Sequence, residues 1–310
     1  MIHRLRIPLA ALVALMLAGC ATSGGPALTR ETTAVLECQG QRTARPTVIL
    51  EAGAFGGVAD WTLVERDLAK RGRVCAYDRV GLGLAPLATE TLDRSPVAIA
   101  RRLETLVSRE EGDRPVILAG HSNGGLYVEA FARLWPQRTA GLLLVDAVGT
   151  DVRGHPLALA DLVKERQLTG FAPFARATGL SRLGPWLSEI HPPAEAAARR
   201  ELTWTRRSST DAASAEVRAI VTGLKAVDAL PPLRPTIPVA VIVASRRPTA
   251  PLDRDWRAAQ VAIADRVCRS VVIDAWSSHT SILDAQRDYV VALVDWLNGG
   301  QAWVGKRACG

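Results

Sequence analysis

The chain has 310 residues, 48% of them hydrophobic, which is enough to bury a full core and favours one large domain with an insertion over two independent domains. Its formal charge of +7 is carried almost entirely by arginines that are scattered rather than run together, which argues against a nucleic-acid partner. There are no internal repeats, none of the five cysteines falls in a C-x-x-C spacing, and neither a metal nor a cofactor is expected.

The chain opens with His3, Arg4 and Arg6 before an apolar run from Ile7 to Ala18. That run is too short and wrongly flanked to span a membrane, and it fits the core of a secretory signal. It ends in Leu17-Ala18-Gly19-Cys20, which resembles the bacterial lipoprotein lipobox. The resemblance implies a signal peptide over 1–19, lipidation of Cys20 and a tether over 20–32 that holds a soluble domain to a membrane without a spanning helix. Ala21, rather than Asp, in the next position implies the outer membrane, facing the periplasm. Export to an oxidising compartment makes disulfides the expected use of Cys38, Cys75, Cys268 and Cys309. Of the three pairings, Cys38–Cys75 with Cys268–Cys309 is favoured, because the first two fall on neighbouring early strands and the last two on the C-terminal side.

The mature chain then reads as alternating strands and helices. Thr33 to Glu37 is an edge strand, and Thr47 to Leu50 a buried one that runs into Glu51-Ala52-Gly53-Ala54. A helix from Ala59 to Lys70 carries Trp61, Val64 and Leu68 on one face. A strand from Arg73 to Tyr77 leads to Asp78-Arg79-Val80-Gly81-Leu82-Gly83, and a helix spans Pro96 to Ser108. Pro115 begins a strand that turns through Gly120-His121-Ser122-Asn123-Gly124 into a helix, and Gly141 to Asp146 is another apolar strand. Strands that are apolar throughout and alternate with helices imply a parallel sheet covered on both faces.

From Asp151 to Pro232 the alternation stops, leaving helical pieces at Ala158 to Leu168, Pro173 to Leu183, Ala194 to Arg206 and Asp211 to Ala229. It resumes with the strand Pro238 to Val243, a helix from Asp255 to Arg266, the strand Ser270 to Ile273 and the helix Ala285 to Leu297. The expected organisation is a core from 33–150 and 233–310, with a helical lid at 151–232. Phe171, Phe174, Leu180, Leu183, Trp186 and Trp204 are the lid's apolar side chains, expected to pack lid helices together or to line an acyl pocket.

Gly120-His121-Ser122-Asn123-Gly124 is a G-x-S-x-G pattern between a strand and a helix. A sharp turn there exposes the Ser122 hydroxyl at a helix N-terminus, where an anion is favoured. A serine is a poor nucleophile without a base, and the base needs an orienting acid. His279, in a turn after a late strand, is the candidate base, whereas His121 is expected to point elsewhere. For the acid, Asp146 at a strand end is preferred, with Asp253 as the alternative. The backbone N–H groups of Asn123 and Ala54 are the candidate oxyanion donors.

Taken together, Leu50-Glu51-Ala52-Gly53, Tyr77-Asp78-Arg79, Gly120 to Gly125, Leu144-Val145-Asp146 and Ser278-His279 resemble the α/β-hydrolase superfamily. The resemblance runs from about Pro46 to Leu297. It implies a mostly parallel eight-stranded sheet with helices on both faces, a Ser-His-acid triad and hydrolysis of carboxylic esters through an acyl-enzyme; small or medium acyl esters as small-molecule substrates and a monomeric chain are the accompanying expectations. Two departures stand out: Ala52-Gly53 replaces the usual His-Gly of the oxyanion loop, and Arg247 stands near the usual late-strand acid position. Dehalogenases and epoxide hydrolases of this fold use an aspartate nucleophile, against which Ser122 argues. The alternatives are an amidase, acyltransferase or cofactor-free haloperoxidase using the same serine, or a non-catalytic envelope-binding lipoprotein.

Overall fold

The structure, a computed structural model, describes residues 34–87, 92–184, 189 and 191–300. The expected signal peptide and tether with Cys20, together with Trp186 and Cys309, lie outside these residues.

The sheet is formed by the polar edge strand β1 (Glu37–Gln39) and, from the apolar runs, by β2 (Val48–Glu51), β3 (Val74–Ala76), β4 (Val116–His121), β5 (Thr139–Val145), β6 (Val239–Ala244) and β7 (Ser270–Ala275). They lie in the order β1-β3-β2-β4-β5-β6-β7, with only β1 antiparallel to its neighbour. The expected eight strands are therefore seven among the described residues. β1 also starts at Glu37, where a strand over Thr33 to Glu37 was expected. The pairing is set by Cys38, which lies opposite Cys75 on β3 and is disulfide-bonded to it. Cys268 is disulfide-bonded as well.

Because side chains alternate along a strand, each central strand contributes to two cores. On one face Ile49, Leu118, Leu142 and Val241 pack against the helices α2 (Pro96–Glu111) and α3 (Asn123–Leu134) through Ile99, Leu103, Leu126 and Phe131. On the other face Leu50, Ile117, Leu143 and Ile242 pack against α1 (Val58–Ala69) through Trp61, Val64 and Leu68, and against the C-terminal helix Arg287–Leu297 through Val290, Leu293 and Val294. Leu50, Ile117, Leu118 and Leu143 are fully buried, as a sheet covered on both faces requires.

Between β5 and β6 the chain is helical, with α4 (Pro156–Leu168), α5 (Ala172–Ala177), α6 (Ala194–Thr205) and α7 (Arg207–Asp228) joined by turns. α7 seats the insertion on the core. Its Gly223 lets the helix approach α2 so closely that a Cβ there would lie 2.4 Å from Pro96. The expected packing of the lid's apolar side chains is corrected at four positions, since Phe171, Phe174, Leu180 and Leu183 are 67%, 62%, 52% and 50% exposed. α5, which carries Phe174, buries none of its residues. Trp204 instead stacks on Phe55 with ring centroids 4.9 Å apart.

The helix after β6, α8 (Pro251–Val261), begins four residues before the expected Asp255, because Pro251 at its first position has the backbone angle of a helix start already fixed. Among the described residues no helix is long and apolar enough to cross a membrane.

Candidate active site

β4 ends in a turn at Ser122, whose φ of 53° and ψ of −128° lie outside the regions that ordinary side chains populate. Such a conformation costs about 1–3 kcal/mol and persists only where its surroundings enforce it. Glycines on both sides make room for it. A Cβ on Gly120 would lie 2.6 Å from the Gly124 carbonyl oxygen, and one on Gly124 would lie 2.5 Å from that of Glu51. The Ser122 carbonyl accepts from the N–H groups of Gly125 at 3.0 Å and Val148 at 2.9 Å. The strained turn is thus tied both to the first turn of α3 and to the loop after β5.

The loop after β7 brings His279 over this turn, with its Nε2 2.9 Å from Ser122 Oγ. Its Nδ1 is 2.6 Å from Asp146 Oδ2. Asp146 follows β5 with a φ of 42°, which turns its carboxylate toward the end of β6. There Oδ1 accepts from the Ala244 N–H at 2.9 Å and from Gln260 Nε2 at 2.8 Å. Asp146, not Asp253, therefore meets His279. Asp253 lies on α8 and lines the same cleft, and among the described residues no hydrogen bond joins it to His279. Where the resemblance led one to expect an acid after β6, the strand end supplies a backbone donor that holds the Asp146 carboxylate.

The electrostatics follow from these contacts. Burial disfavours a charge on Asp146, but the hydrogen bond and charge of His279, with donors Gln260 and Ala244, hold its pKa below the ordinary value. Burial likewise works against protonated His279, yet the bond to Asp146 and its charge, helped by Glu165 and Asp161, raise the pKa. His279 is 49% exposed toward the cleft, which gives the imidazole access to a bound molecule.

His121 lies next to the serine but faces away from it, and reaches the opposite side of the histidine loop. Its buried ring stacks on His279 at 5.0 Å between centroids, and Nε2 donates to the His279 carbonyl at 2.9 Å. Burial, and then the neighbouring His279, push its pKa down to about 3, so it is a neutral donor that steadies the loop. Neither this contact nor that of Gln260 had a sequence signal, since each depends on elements far apart in the chain.

The N–H groups of Asn123 and Ala54 have no acceptor among the described residues. The loop that carries Ala54 lies against Ser122: a Cβ on Gly53 would sit 2.8 Å from Ser122 Cβ. In front of Ser122 is a cleft of about 530 Å³ lined by Val148, Leu162, Leu252 and Trp256 and by charged groups including Glu165 and Arg247. No group of three or more His, Cys, Asp or Glu side chains among the described residues is placed to hold a metal ion.

The arrangement therefore lines up the Ser122 hydroxyl, the His279 imidazole and the Asp146 carboxylate at the edge of the cleft. Comparison with known proteins adds to this. Residues 48–293 match the Alpha/beta hydrolase family. A (lyso)-N-acylphosphatidylethanolamine lipase from Bos taurus is 30% identical over 112 residues, which is 35% of this chain and 32% of that one. The stretches matched in curated relatives make up about a third of their length. A Pseudomonas aeruginosa protein provisionally assigned as an epoxide hydrolase has a similar structure, with a TM-score of 0.69 and 18% identity over 87% of this chain and 95% of that one. A thermophilic esterase from Thermogutta terrifontis has a TM-score of 0.60 and 19% identity over 88% and 97% of the two chains.

Proposed function

Because the chain belongs to the Alpha/beta hydrolase family, we propose that it is a serine hydrolase that cleaves carboxylic esters of small or medium acyl chains. The observation that carries this reading is the unbroken line from Ser122 Oγ through His279 to Asp146, at 2.9 and 2.6 Å. Ser122 Oγ attacks the ester carbonyl carbon while His279 Nε2 takes its proton, and Asp146 stabilises the imidazolium that forms. The carbonyl electron pair moves onto oxygen and is met by the N–H groups of Asn123 and Ala54. Collapse expels the alcohol, which takes the proton from His279 and leaves an acyl-Ser122. Water then repeats the sequence on the acyl-enzyme, giving the acid and free Ser122.

Ser122 favours this chemistry over epoxide opening, for which enzymes of the fold use an aspartate at that position. The apolar cleft wall formed by Val148, Leu162, Leu252 and Trp256 suits an acyl chain. The lipase named among the relatives supports an acyl ester as the substrate class. The helical insertion at 151–232 serves as the lid over this cleft. Cys20 carries the lipid, and the tether at 20–32 holds a monomeric hydrolase domain at the outer membrane, facing the periplasm. The test is a chain-length panel of p-nitrophenyl esters on wild type and Ser122→Ala: turnover of short and medium esters that is lost in the variant supports the proposal. Equal turnover by both proteins sinks the role of Ser122, and no turnover by wild type sinks the proposal and favours a binding lipoprotein.

A further inference from the structure

Tyr77-Asp78-Arg79 is part of the family-like pattern, yet the reaction as described leaves it without a task. In the structure Arg79 is 4% exposed and uses all five of its N–H donors. Nη1 donates to Glu51 Oε1 at 2.6 Å and to the Ala52 carbonyl at 2.8 Å. Nη2 donates to the Gly53 carbonyl at 2.8 Å and to Glu216 Oε2 at 2.9 Å, and Nε donates to the same Glu216 oxygen at 3.0 Å. Glu51 also accepts from the Tyr77 hydroxyl, and Glu216 from Arg94 Nη1 at 3.4 Å. Burial works against the charge of Arg79, but Glu216 and Glu51 hold its pKa well above the ordinary value, so it stays a cation.

The carbonyl of Gly53 and the N–H of Ala54 belong to one peptide group. No cis bond occurs among the described residues, so that N–H points away from the carbonyl that Arg79 holds. A fixed carbonyl therefore means a fixed N–H direction, and a guanidinium on the oxygen polarises the whole peptide and strengthens the N–H as a donor. On the far side of the guanidinium, Glu216 belongs to α7 of the helical insertion. A second insertion residue holds another carbonyl of the same loop two residues on, as Arg200 Nη1 donates to Phe55 O at 2.8 Å.

We propose that Arg79 is the positioning residue for the oxyanion donor of Ala54, and that through Glu216 the alignment of this donor depends on how the helical insertion is seated. This rests on the hydrolase reading above. Lysine can replace arginine here only in part, because one ammonium keeps the charge but has neither the planar fork nor the five donors that reach two carbonyls and two carboxylates together.

The test uses Arg79→Met, Arg79→Lys and Glu216→Gln in the full chain, with p-nitrophenyl butyrate as substrate and butylboronic acid as a tetrahedral mimic. The boronic acid accepts Ser122 Oγ on boron and presents a boronate oxygen to the oxyanion donors. Loss of a whole donor costs about 100- to 1,000-fold in kcat, so misalignment of one is expected to cost Arg79→Met about 10- to 100-fold. KM is expected to stay within about threefold, and boronate affinity to fall with kcat. Arg79→Lys should recover part of the loss, and Glu216→Gln should show a smaller loss with the same kcat signature. If Arg79→Met does not fold, Arg79→Lys and Glu216→Gln decide the matter by the same two readouts. Variants with kcat and boronate affinity within about twofold of wild type, or with a loss confined to melting temperature or KM, overturn the proposal while leaving the hydrolase reading intact. A wild type that neither turns over the ester nor binds the boronate overturns both.

Discussion

Asp146→Asn is the substitution whose consequence can be followed atom by atom. In the native site Oδ1 faces two donors, the Ala244 N–H at 2.9 Å and Gln260 Nε2 at 2.8 Å. Asparagine has one oxygen, and those two donors claim it. Its NH₂ group is then left facing His279 Nδ1, where the carboxylate oxygen lay at 2.6 Å. Nδ1 must become an acceptor, which moves the ring proton to Nε2 and aims it at Ser122 Oγ, 2.9 Å away. The base then cannot take the serine proton, and the charge that stabilises the imidazolium is gone. Wrong-tautomer substitutions of this kind lower kcat by about 10⁴-fold, or about 5.5 kcal/mol of barrier. The near-identical shape of asparagine should leave the melting temperature within a few degrees of wild type. The assay is steady-state turnover of p-nitrophenyl butyrate by Asp146→Asn beside Asp253→Asn, which should stay within about twofold of wild type because it makes no bond to His279. A full-rate Asp146→Asn enzyme, or an equal loss in Asp253→Asn, would refute the reasoning.

The raised pKa of His279 sets the pH dependence: the ring must be neutral to act, so kcat/KM should rise with pH through a midpoint above 6.5. A midpoint at or below 6.5 in a pH–rate profile counts against the contact with Asp146. Replacing both Cys38 and Cys75 by alanine should lower stability by about 4 kcal/mol from chain entropy, since the bond closes a loop with a sequence separation of 37. Urea unfolding of the variant with an unchanged midpoint would contradict that figure.

How much the sequence disclosed depended on how local each feature is. Ser122 and its glycines are local: strand, turn and helix follow one another without a break from Val116 to Leu134, and the turn is where the pattern put it. His279 was legible by its place after a late strand. The acid was open between Asp146 and Asp253 because β5 and β6 are neighbours, with Val145 beside Ile242, and sequence order does not say which strand end leans toward the histidine. The choice depends on the positive φ of Asp146 and on Gln260, which reaches it from α8 across 114 positions. His121 was expected to point elsewhere. It does turn from the serine, yet it bonds to the histidine loop, a contact 158 positions long. Helical pieces between β5 and β6 were legible, because Pro and Gly punctuate them. Their apolar side chains were misread, because a helical period shows which residues share a face and not whether anything covers that face. Arg79 stood in a recognisable pattern, but its partner Glu216 lies 137 positions away.

The most direct test of the hydrolase reading is covalent labelling of purified protein with a fluorophosphonate, followed by intact-mass and peptide mapping. One adduct per chain on Ser122, absent in Ser122→Ala and strongly slowed in His279→Ala, is the expected result. A wild-type protein that stays unlabelled, or that carries its adduct on another residue while Ser122→Ala still labels, would contradict it.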